Sequence, residues 1–483
     1  MKKLKGIESI GRRWVLGFSL AGLLASAVAA QARSSVEVTG KEVKKSEQAS
    51  GSLVKQSNQT GEQSTAPFVM LAALTGVEAI SGAAQDAPPA TPPATPDQAA
   101  APATPPAAPA APTALPTPAM TGPLSGLPPA IFDAGPLGKL AVNGIISGIG
   151  FYQSAHVPVS GNDRTQAAVS NGQVFLQKTD TWFQFYLQAG AYNLMSLGTP
   201  FLATDKTMTA TYGPLPVGFL KLAPQTGGWK NTSLLIGELP TLIGAEYTFS
   251  FENMNIERGL LWNQETAISR GIQLNQAMGK FSASVSWNDG FYSNRYTWIS
   301  GSLAHTKGAH ALSFVAGGNA GQTAFTSGAT PLQNNGSIYN VIYTFTKGPW
   351  IITPYFQYTK VPTNTNVGVA KGTSTTGGAI LASYAFKHGF SMAGRWEDIG
   401  SSGTATDGSV NLMYGPGSKA WSFTATPTFQ YGGFFFRGDL AWVHATDITP
   451  GSAFGPLGNG KDQARLMGEI GFIFGNNIVP KTP

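Results

Sequence analysis

Cysteine is absent from the sequence, and charged residues make up only 12% of it, about half the share of an average globular protein. Without cysteine the protein has no disulfide framework and no thiolate chemistry. Outside the N-terminus the sequence also lacks any run of the roughly eighteen apolar residues that a membrane-spanning helix needs. These absences exclude a disulfide-rich scaffold and a bundle of membrane helices, although 42% of the residues are hydrophobic.

Signatures of enzymatic chemistry are missing as well. The sequence has five histidines, no Gly-x-Ser-x-Gly elbow, and no set of His, Asp and Glu at metal-binding spacing. No nucleophile signature accompanies His444, and the glycine-rich turns lack the Lys-Ser/Thr of a phosphate-binding loop. The sequence therefore predicts no enzymatic activity, no cofactor and no metal site.

Residues 1–32 have the pattern of a secretion signal. Five basic residues precede the apolar run from Trp14 to Ala30, and small-residue cleavage motifs occur at 27–29 and 30–32. We therefore predict export with a cleaved signal peptide. Cleavage removes the five basic residues and Glu8, so the formal net charge falls from +6 to about +2. The charge thus gives no reason to expect a nucleic-acid partner.

Residues 33–136 form a predicted low-complexity linker. The part from Arg33 to Thr65 is polar with few large apolar side chains, and the part from Ala83 to Ala130 is dominated by Ala, Pro and Thr. Such compositions do not build a packed core, and the proline-rich part favours an extended, semi-rigid chain. We predict a mostly disordered periplasmic spacer, which is a candidate for contact with the cell wall.

The stretch from Trp421 to Trp442 shows the clearest strand pattern. Every second residue from Trp421 to Tyr431 is apolar, and the residues between them are Ser, Thr or Gln. After Gly432-Gly433 the alternation resumes up to Trp442. A period of two indicates strands. Aromatic residues near the ends of ten-residue strands are typical of a transmembrane barrel, in which the apolar face meets lipid and the polar face lines an interior.

Seven tight turns divide the chain after Leu140 into hairpins. They fall at Thr179-Asp180, Gly227-Gly228, Gly279-Lys280, Lys307-Gly308, Lys347-Gly348, His388-Gly389 and Gly432-Gly433. With an opening strand, Leu140 to Tyr152, and a closing strand, Arg465 to Phe474, they predict about sixteen strands, an even number as in bacterial single-chain barrels. The predicted fold is all-β: a transmembrane antiparallel β-barrel over residues 137–475, followed by a C-terminal tail, 476–483.

One segment of the predicted barrel has the motifs of a known family. The matching positions are Gly237, Pro240, Thr241, Gly244, Glu246, Asn253, Asn255 and Gly271. They resemble the OmpL-like β-barrel porins, or β-barrel porin type two, which show a Pro-Thr-x-x-Gly-x-Glu segment, an Asn-x-Asn cluster and then a strand that begins with glycine. The resemblance covers about Leu140 to Phe474 and implies an outer-membrane diffusion channel.

The third long segment between the turns, Leu239 to Ala267, is too apolar and too long for a solvated loop tip. In sixteen-stranded porins the third loop folds into the lumen and narrows it, and this segment has the same rank and a suitable size. Glu265 belongs to it as well. The segment supplies four candidate residues for the lining of a constriction: Glu246, Glu252, Glu257 and Arg258.

Strand parity places further charged side chains on the inner face of the facing wall. They are Arg395, Glu397, Arg437, Asp439, Arg465 and Glu469. Arginines that face an acid-bearing loop across a lumen would order water and sort small solutes by charge and dipole. The alternative is that these residues pair within the wall, Arg395 with Glu397 or Arg437 with Asp439, and only neutralise one another.

Together these features predict a porin in the outer membrane of a Gram-negative-type bacterium. It would form an aqueous channel for passive diffusion of small hydrophilic solutes, constricted by the inward-folded third loop. Membrane lipid would surround the barrel, and analogy with barrels of this size suggests a homotrimer. The alternative function is that of a plugged barrel with a structural or adhesion role at the cell surface.

Overall fold

The computed structural model describes residues 121–156, 159, 162–322 and 332–478. The predicted signal peptide, most of the predicted linker and the end of the predicted C-terminal tail lie outside these residues. The strands are β1 (Ala130–Asp133), β2 (Lys139–Gln153), β3 (Thr165–Lys178), β4 (Phe183–Tyr192), β5 (Val217–Leu222), β6 (Thr232–Pro240), β7 (Ile268–Met278), β8 (Phe281–Asn288), β9 (Trp298–Lys307), β10 (His310–Asn319), β11 (Ser337–Lys347), β12 (Trp350–Val361), β13 (Thr373–Ala385), β14 (Phe390–Ser401), β15 (Lys419–Tyr431), β16 (Phe434–Thr446) and β17 (Asp462–Phe474). An α-helix, α1, spans Thr204–Ala210, and 3-10 helices span Gly135–Leu137, Gly227–Trp229, Ser250–Glu252, Leu261–Gln264, Gln333–Asn335, Thr365–Val367 and Asn476–Ile478.

Strands β2 to β17 form a closed antiparallel barrel of sixteen strands. Each strand pairs with the next along the chain, and β17 pairs with β2 from Arg465↔Gln153 to Phe474↔Gly144. Closure leaves no free sheet edge among these strands, which is what a sheet inside a bilayer requires. The predicted barrel is confirmed, and each of the seven predicted turns falls where one strand ends and the next begins.

The first strand, β1, is an addition that the sequence pattern does not predict. It pairs with the residues from Lys139 to Val142 at the start of β2. The pairing of β17 with β2 stops at Gly144, so β1 continues the wall beyond the end of β17. Four residues at the end of a Pro/Ala-rich tract are too few to show a period of two.

The alternating pattern separates two environments across the wall. On β15 and β16 the side chains of Phe423, Leu440 and Trp442 are 44–55% exposed on the outer face, whereas Ser422 and Thr424 are fully buried on the inner face. An apolar outer face is suited to lipid and a polar inner face to a hydrated or hydrogen-bonded interior. The strand faces therefore agree with the predicted transmembrane barrel.

The two ends of the barrel differ in their connections. At one end, called the turn end, short connections such as Gly279-Lys280 and Gly432-Gly433 join the strands. At the other, called the loop end, longer segments join them. The second of these segments, 193–216, contains α1, and the third, 241–267, is called L3. None of the helices in the described ranges has both the length and the apolar character needed to cross a membrane.

Replacing Leu440 with Arg is expected to lower the free energy of unfolding by about 2–4 kcal/mol. Leu440 lies at the centre of β16 and is 55% exposed on the outer face, where a charged group would face hydrocarbon. Denaturant titration of the protein folded in lipid measures the change. The control is Leu457→Arg, because Leu457 is 78% exposed in a long connection between strands. Equal losses in the two variants would contradict a lipid-facing outer surface.

Candidate functional site

L3 lies inside the barrel, and nearly all its side chains are buried. Early in L3 the Gly244 N–H donates to Asn340 Oδ1 of β11 at 3.2 Å. Later, Gln357 Nε2 of β12 donates to the carbonyl of Leu261 at 2.8 Å. Since L3 connects β6 to β7, contacts with β11 and β12 mean that the loop crosses the lumen towards the opposite wall.

Two acidic side chains of that wall bind the backbone of L3. Glu397 on β14 accepts the N–H groups of residues 260 and 261 at 2.9 and 3.3 Å. Asp439 on β16 accepts those of residues 256 and 257, each at 3.0 Å. Each carboxylate thus pairs two adjacent N–H groups that would otherwise lack a partner inside the lumen. These bonds fix the position of the loop's main chain.

Arg395 of β14 connects the wall to two points of L3. Its Nη1 donates to Glu246 Oε1 at 2.5 Å and to the carbonyl of Glu257 at 2.7 Å. Its Nε lies 3.3 Å from Glu397 Oε2, and its Nη2 donates to Thr424 Oγ1 at 3.1 Å. Arg395 is only 1% exposed, so the two carboxylates must offset the cost of removing its charge from water.

Arg465 of β17 holds L3 near the loop end. Its Nη1 lies 2.5 Å from Glu257 Oε1 and donates to the carbonyl of Ser196 at 3.0 Å. Its Nη2 donates to the carbonyl of Thr199. Ser196 and Thr199 belong to the segment 193–216, so Arg465 joins two loops of the loop end to the wall.

Arg437 of β16 holds L3 near the turn end. Its Nη1 donates to the carbonyl of Ser250 at 2.9 Å, and its Nη2 donates to that of Asn253 at 3.0 Å. The same Nη1 lies 3.4 Å from Glu469 Oε2. Glu469 Oε1 also accepts the hydroxyl of Ser170 at 2.8 Å. Arg465, Arg395 and Arg437 therefore bind L3 at three heights of the wall.

Arg258 in L3 has a different environment. It is fully buried, and its Nε, Nη1 and Nη2 have no hydrogen-bond partner within the described residues. Its guanidinium lies 4.6 Å from the ring centre of Trp262, a distance at which a cation interacts with an aromatic ring. Burial lowers the pKa of Arg258 to about 10, while Glu246 and Glu257 oppose this change. Arg258 therefore stays charged at neutral pH.

Glu265, near the end of L3, lies against Gly244. Gly244 has a φ of 89°, and a Cβ at this position would clash with the Glu265 carboxylate, so only glycine suits both the backbone and the contact. Burial, together with the charges of Glu246 and Glu397, raises the pKa of Glu265 well above its ordinary value. This change favours the neutral form of the Glu265 side chain.

The ten residues predicted from the sequence lie on L3 or on the wall that it contacts, and none is more than 6% exposed. They are Glu246, Glu252, Glu257 and Arg258 of L3 and Arg395, Glu397, Arg437, Asp439, Arg465 and Glu469 of the wall. Arg395 contacts both Glu397, on the same strand of the wall, and Glu246, on L3. Arg437 forms its ion pair with Glu469. Glu252 accepts the N–H of Phe249 within L3 at 3.1 Å.

Uncharged side chains complete this interface, and Asn255 is the one among those described below that the family motif in the sequence includes. Asn255 Nδ2 donates to Thr426 Oγ1 at 2.6 Å, and the Thr426 hydroxyl contacts Asp439. Asn171 Nδ2 donates to the hydroxyl of Ser250 at 2.8 Å. Strand parity could indicate that Thr426 faces inward, but it does not indicate its partner.

Metal ligation does not account for this interface. In the described part of the chain, no group of three or more His, Cys, Asp or Glu side chains is placed to hold a metal ion. Ion pairs, hydrogen bonds and apolar packing join L3 to the wall. In the packing, Leu242, Ile243 and Leu261 of L3 share a buried cluster with Ile338 and Tyr355 of the wall.

A closed sixteen-stranded barrel that is apolar outside and polar inside, with a long third loop fixed in its lumen, defines the class of porin-like transmembrane barrels. The family model described as "Putative beta-barrel porin-2, OmpL-like" matches residues 139–474. The chain belongs to this family of β-barrel porins, and the resemblance seen in the sequence is confirmed. The matched region begins at the first residue of β2 and ends at the last residue of β17.

Several solved structures are similar to the chain at low sequence identity. The anion-selective porin from Comamonas acidovorans is 13% identical, with a TM-score of 0.46, and the match covers 69% of this chain and 99% of that one. Outer-membrane expressed OmpT of Vibrio cholerae is 9% identical, with a TM-score of 0.48 and coverage of 71% and 100%. Salmonella typhi OmpF, in complex with daunomycin, is 11% identical, with a TM-score of 0.44 and coverage of 70% and 98%. No curated protein matches the sequence.

Proposed function

We propose that this porin forms an outer-membrane channel for passive diffusion of small hydrophilic solutes, and that L3 narrows the channel. The observation that carries the proposal is the fixing of L3 across the lumen by Arg395, Arg437 and Arg465. A barrel of about sixteen strands is wide enough for an aqueous interior. A loop held at three heights inside it restricts the passage to small solutes.

The proposed passage runs beside the part of the wall formed by β8 to β11. Ser284, Ser302 and Thr344 are partly exposed there. Ser284 pairs with Ser302 in the register of β8 and β9, while the adjacent Val285 is exposed on the outer face. Tyr247 of L3 is also partly exposed. Small hydroxyl side chains can replace the hydration of a polar solute without strong binding, which diffusion requires.

By analogy with bacterial barrels, the turn end faces the periplasm and the loop end faces the exterior. We further propose that the signal peptide is cleaved, that the barrel is a homotrimer surrounded by lipid, and that the part of the linker 33–136 that precedes residue 121 contacts the cell wall.

Single-channel recording in planar bilayers tests the proposed function. Purified, folded protein is expected to give discrete current steps, and polyethylene glycols of increasing size should stop entering the channel at a defined radius. Folded protein that gives no current steps would contradict the channel and favour the plugged barrel with a structural or adhesion role. The dense packing of L3 in the lumen is the observation that favours this second function.

Replacing Arg395 and Arg437 together with Ala is expected to shift the reversal potential in a salt gradient towards cations. The change removes two positive charges from the lumen wall and leaves the carboxylates of Glu246, Glu397 and Glu469 in place. The matched control is Arg164→Ala with Arg295→Ala, because both of these arginines are exposed in long connections between strands. A reversal potential that the first pair leaves unchanged would remove Arg395 and Arg437 from the proposed selectivity site.

A further inference from the structure

Residues 121–129, here called the lumen segment, connect the turn end of the wall to L3. The Pro128 carbonyl accepts the N–H of Asn476, just after β17, at 2.7 Å. At the other end of the segment, the N–H and the hydroxyl of Thr121 both donate to the carbonyl of Glu252, at 3.1 and 2.8 Å. The segment therefore runs from the rim of the barrel to a part of L3 inside the lumen.

A side chain of the wall binds the middle of the lumen segment. Gln430 Oε1 accepts the N–H of Ser125 at 2.8 Å, and Gln430 Nε2 donates to the Ser125 carbonyl at 2.8 Å. Gln430 lies next to the last residue of β15, two positions before Gly432, so this contact is at the turn end. Both bonds use the backbone of Ser125, so its side chain is not needed for them.

Leu124 anchors the lumen segment in an apolar cluster. It is 1% exposed and belongs to the same cluster as Phe249 and Phe251 of L3 and Phe435 and Ile473 of the wall. Phe435 and Ile473 each lie one residue from the turn end of their strands. The cluster therefore fills the lumen between L3 and the turn end on this side of the barrel.

The backbone of the segment lies directly against L3. A Cβ at Gly122 would clash with the carbonyl group of Asn253, the same carbonyl that accepts a hydrogen bond from Arg437. L3 is thus held here by the wall on one side and by the lumen segment on another. Three prolines, at 123, 128 and 129, restrict the free conformations of the segment, which lowers the entropy cost of docking.

We propose that the lumen segment is a plug: a peptide of the chain itself that docks in the turn-end mouth beside L3. It narrows the passage at that mouth and keeps the adjoining part of L3 in place. Its effect on conductance rests on the proposed channel function, whereas its docking does not. The two are therefore tested by separate measurements.

The first experiment measures docking by thiol accessibility. The chain has no cysteine, so Leu124→Cys introduces a single thiol. In the folded, full-length protein this thiol is expected to react with a water-soluble maleimide at least about tenfold more slowly than the thiol of Leu457→Cys, because docking must open before it reacts. Leu457 is 78% exposed. Equal rates in the two folded variants would overturn docking, whether or not the protein conducts.

The second experiment adds Gly122→Leu, whose side chain collides with the L3 backbone and should release the plug. Labelling of the Leu124→Cys thiol is expected to accelerate about tenfold, and the Gly122→Leu variant without the cysteine should show a larger single-channel conductance than the wild type. The matched control is Gly228→Leu, which should change neither quantity, because a Cβ at Gly228 meets nothing within 4 Å and the residue lies in a turn outside the lumen. Faster labelling with unchanged conductance would overturn the plug. Protected thiols in a protein that never conducts would contradict the channel function instead.

Discussion

A protein that carries Arg395→Gln is expected to unfold with a free energy about 3–5 kcal/mol lower than that of the wild type. The substitution removes the positive charge that contacts both Glu246 and Glu397, at 2.5 and 3.3 Å, and all three side chains are buried. Two carboxylates would then remain in the lumen without that counter-charge. Denaturant titration of the folded protein in lipid measures the loss.

A neutral set of the same three side chains is the control for this prediction. In the triple variant with Arg395→Gln, Glu246→Gln and Glu397→Gln, no charge of the set is left buried, so the loss should be smaller than in the single variant. If the single variant is as stable as the wild type, Arg395 does not hold L3. If the triple variant loses more than the single one, the ion pairs are not the reason for the loss.

The second large effect is expected from Gly259→Ala. A Cβ at Gly259 would clash with the carboxylate of Glu397, which receives the N–H groups of residues 260 and 261. Overpacking of this kind costs about 1–3 kcal/mol, and it acts where L3 meets the wall. L3 should therefore shift away from the wall at this contact, and the single-channel conductance should rise by up to about twofold towards that of an open sixteen-stranded barrel.

Gly228→Ala is the matched control for this variant. A Cβ at Gly228 meets nothing within 4 Å, and the position lies in a turn outside the lumen. Its conductance and stability should equal those of the wild type. An unchanged conductance in Gly259→Ala, together with lowered stability, would show that L3 does not set the width of the passage.

The strands and turns could be predicted because their signals are local. The alternation from Trp421 to Tyr431 and the turn Gly432-Gly433 specify a hairpin within about twenty residues. A closed barrel then follows from the even number of such hairpins and from the need to leave no free edge in a bilayer. The face on which each side chain lies, the positions of the turns and the number of strands therefore depend on spacings that are visible in the sequence.

The partners inside the lumen could not be predicted in the same way. Arg437 and Asp439 share a face because they are two residues apart, but the cross-strand register places Glu469 opposite Arg437, and the ion pair forms there. Parity gives the face of a side chain, whereas register is a property of two strands. Glu397 binds backbone N–H groups of L3, and such groups have no sequence signature.

The docking of the lumen segment could not be predicted from amino-acid composition either. Proline and alanine predict an extended spacer for residues 83–130, yet Leu124 and the backbone of Ser125 are bound by the barrel. Leu124 docks within a proline-rich tract, with Leu127 packed against the same residues, because the facing wall and L3 supply an apolar cluster. That cluster is assembled from residues far apart in the chain, so the local composition does not reveal it.

The contacts that hold L3 against the wall also affect the order of folding. Its partners Glu397, Arg437 and Arg465 lie more than a hundred residues after it in the chain, so they become available only when the last four strands join. Contacts of such long sequence separation form late and slow the overall rate. We expect the nascent lumen to remain hydrated until β14 to β17 close the wall, so that barrel closure and the pairing of the internal charges occur as one final, cooperative step.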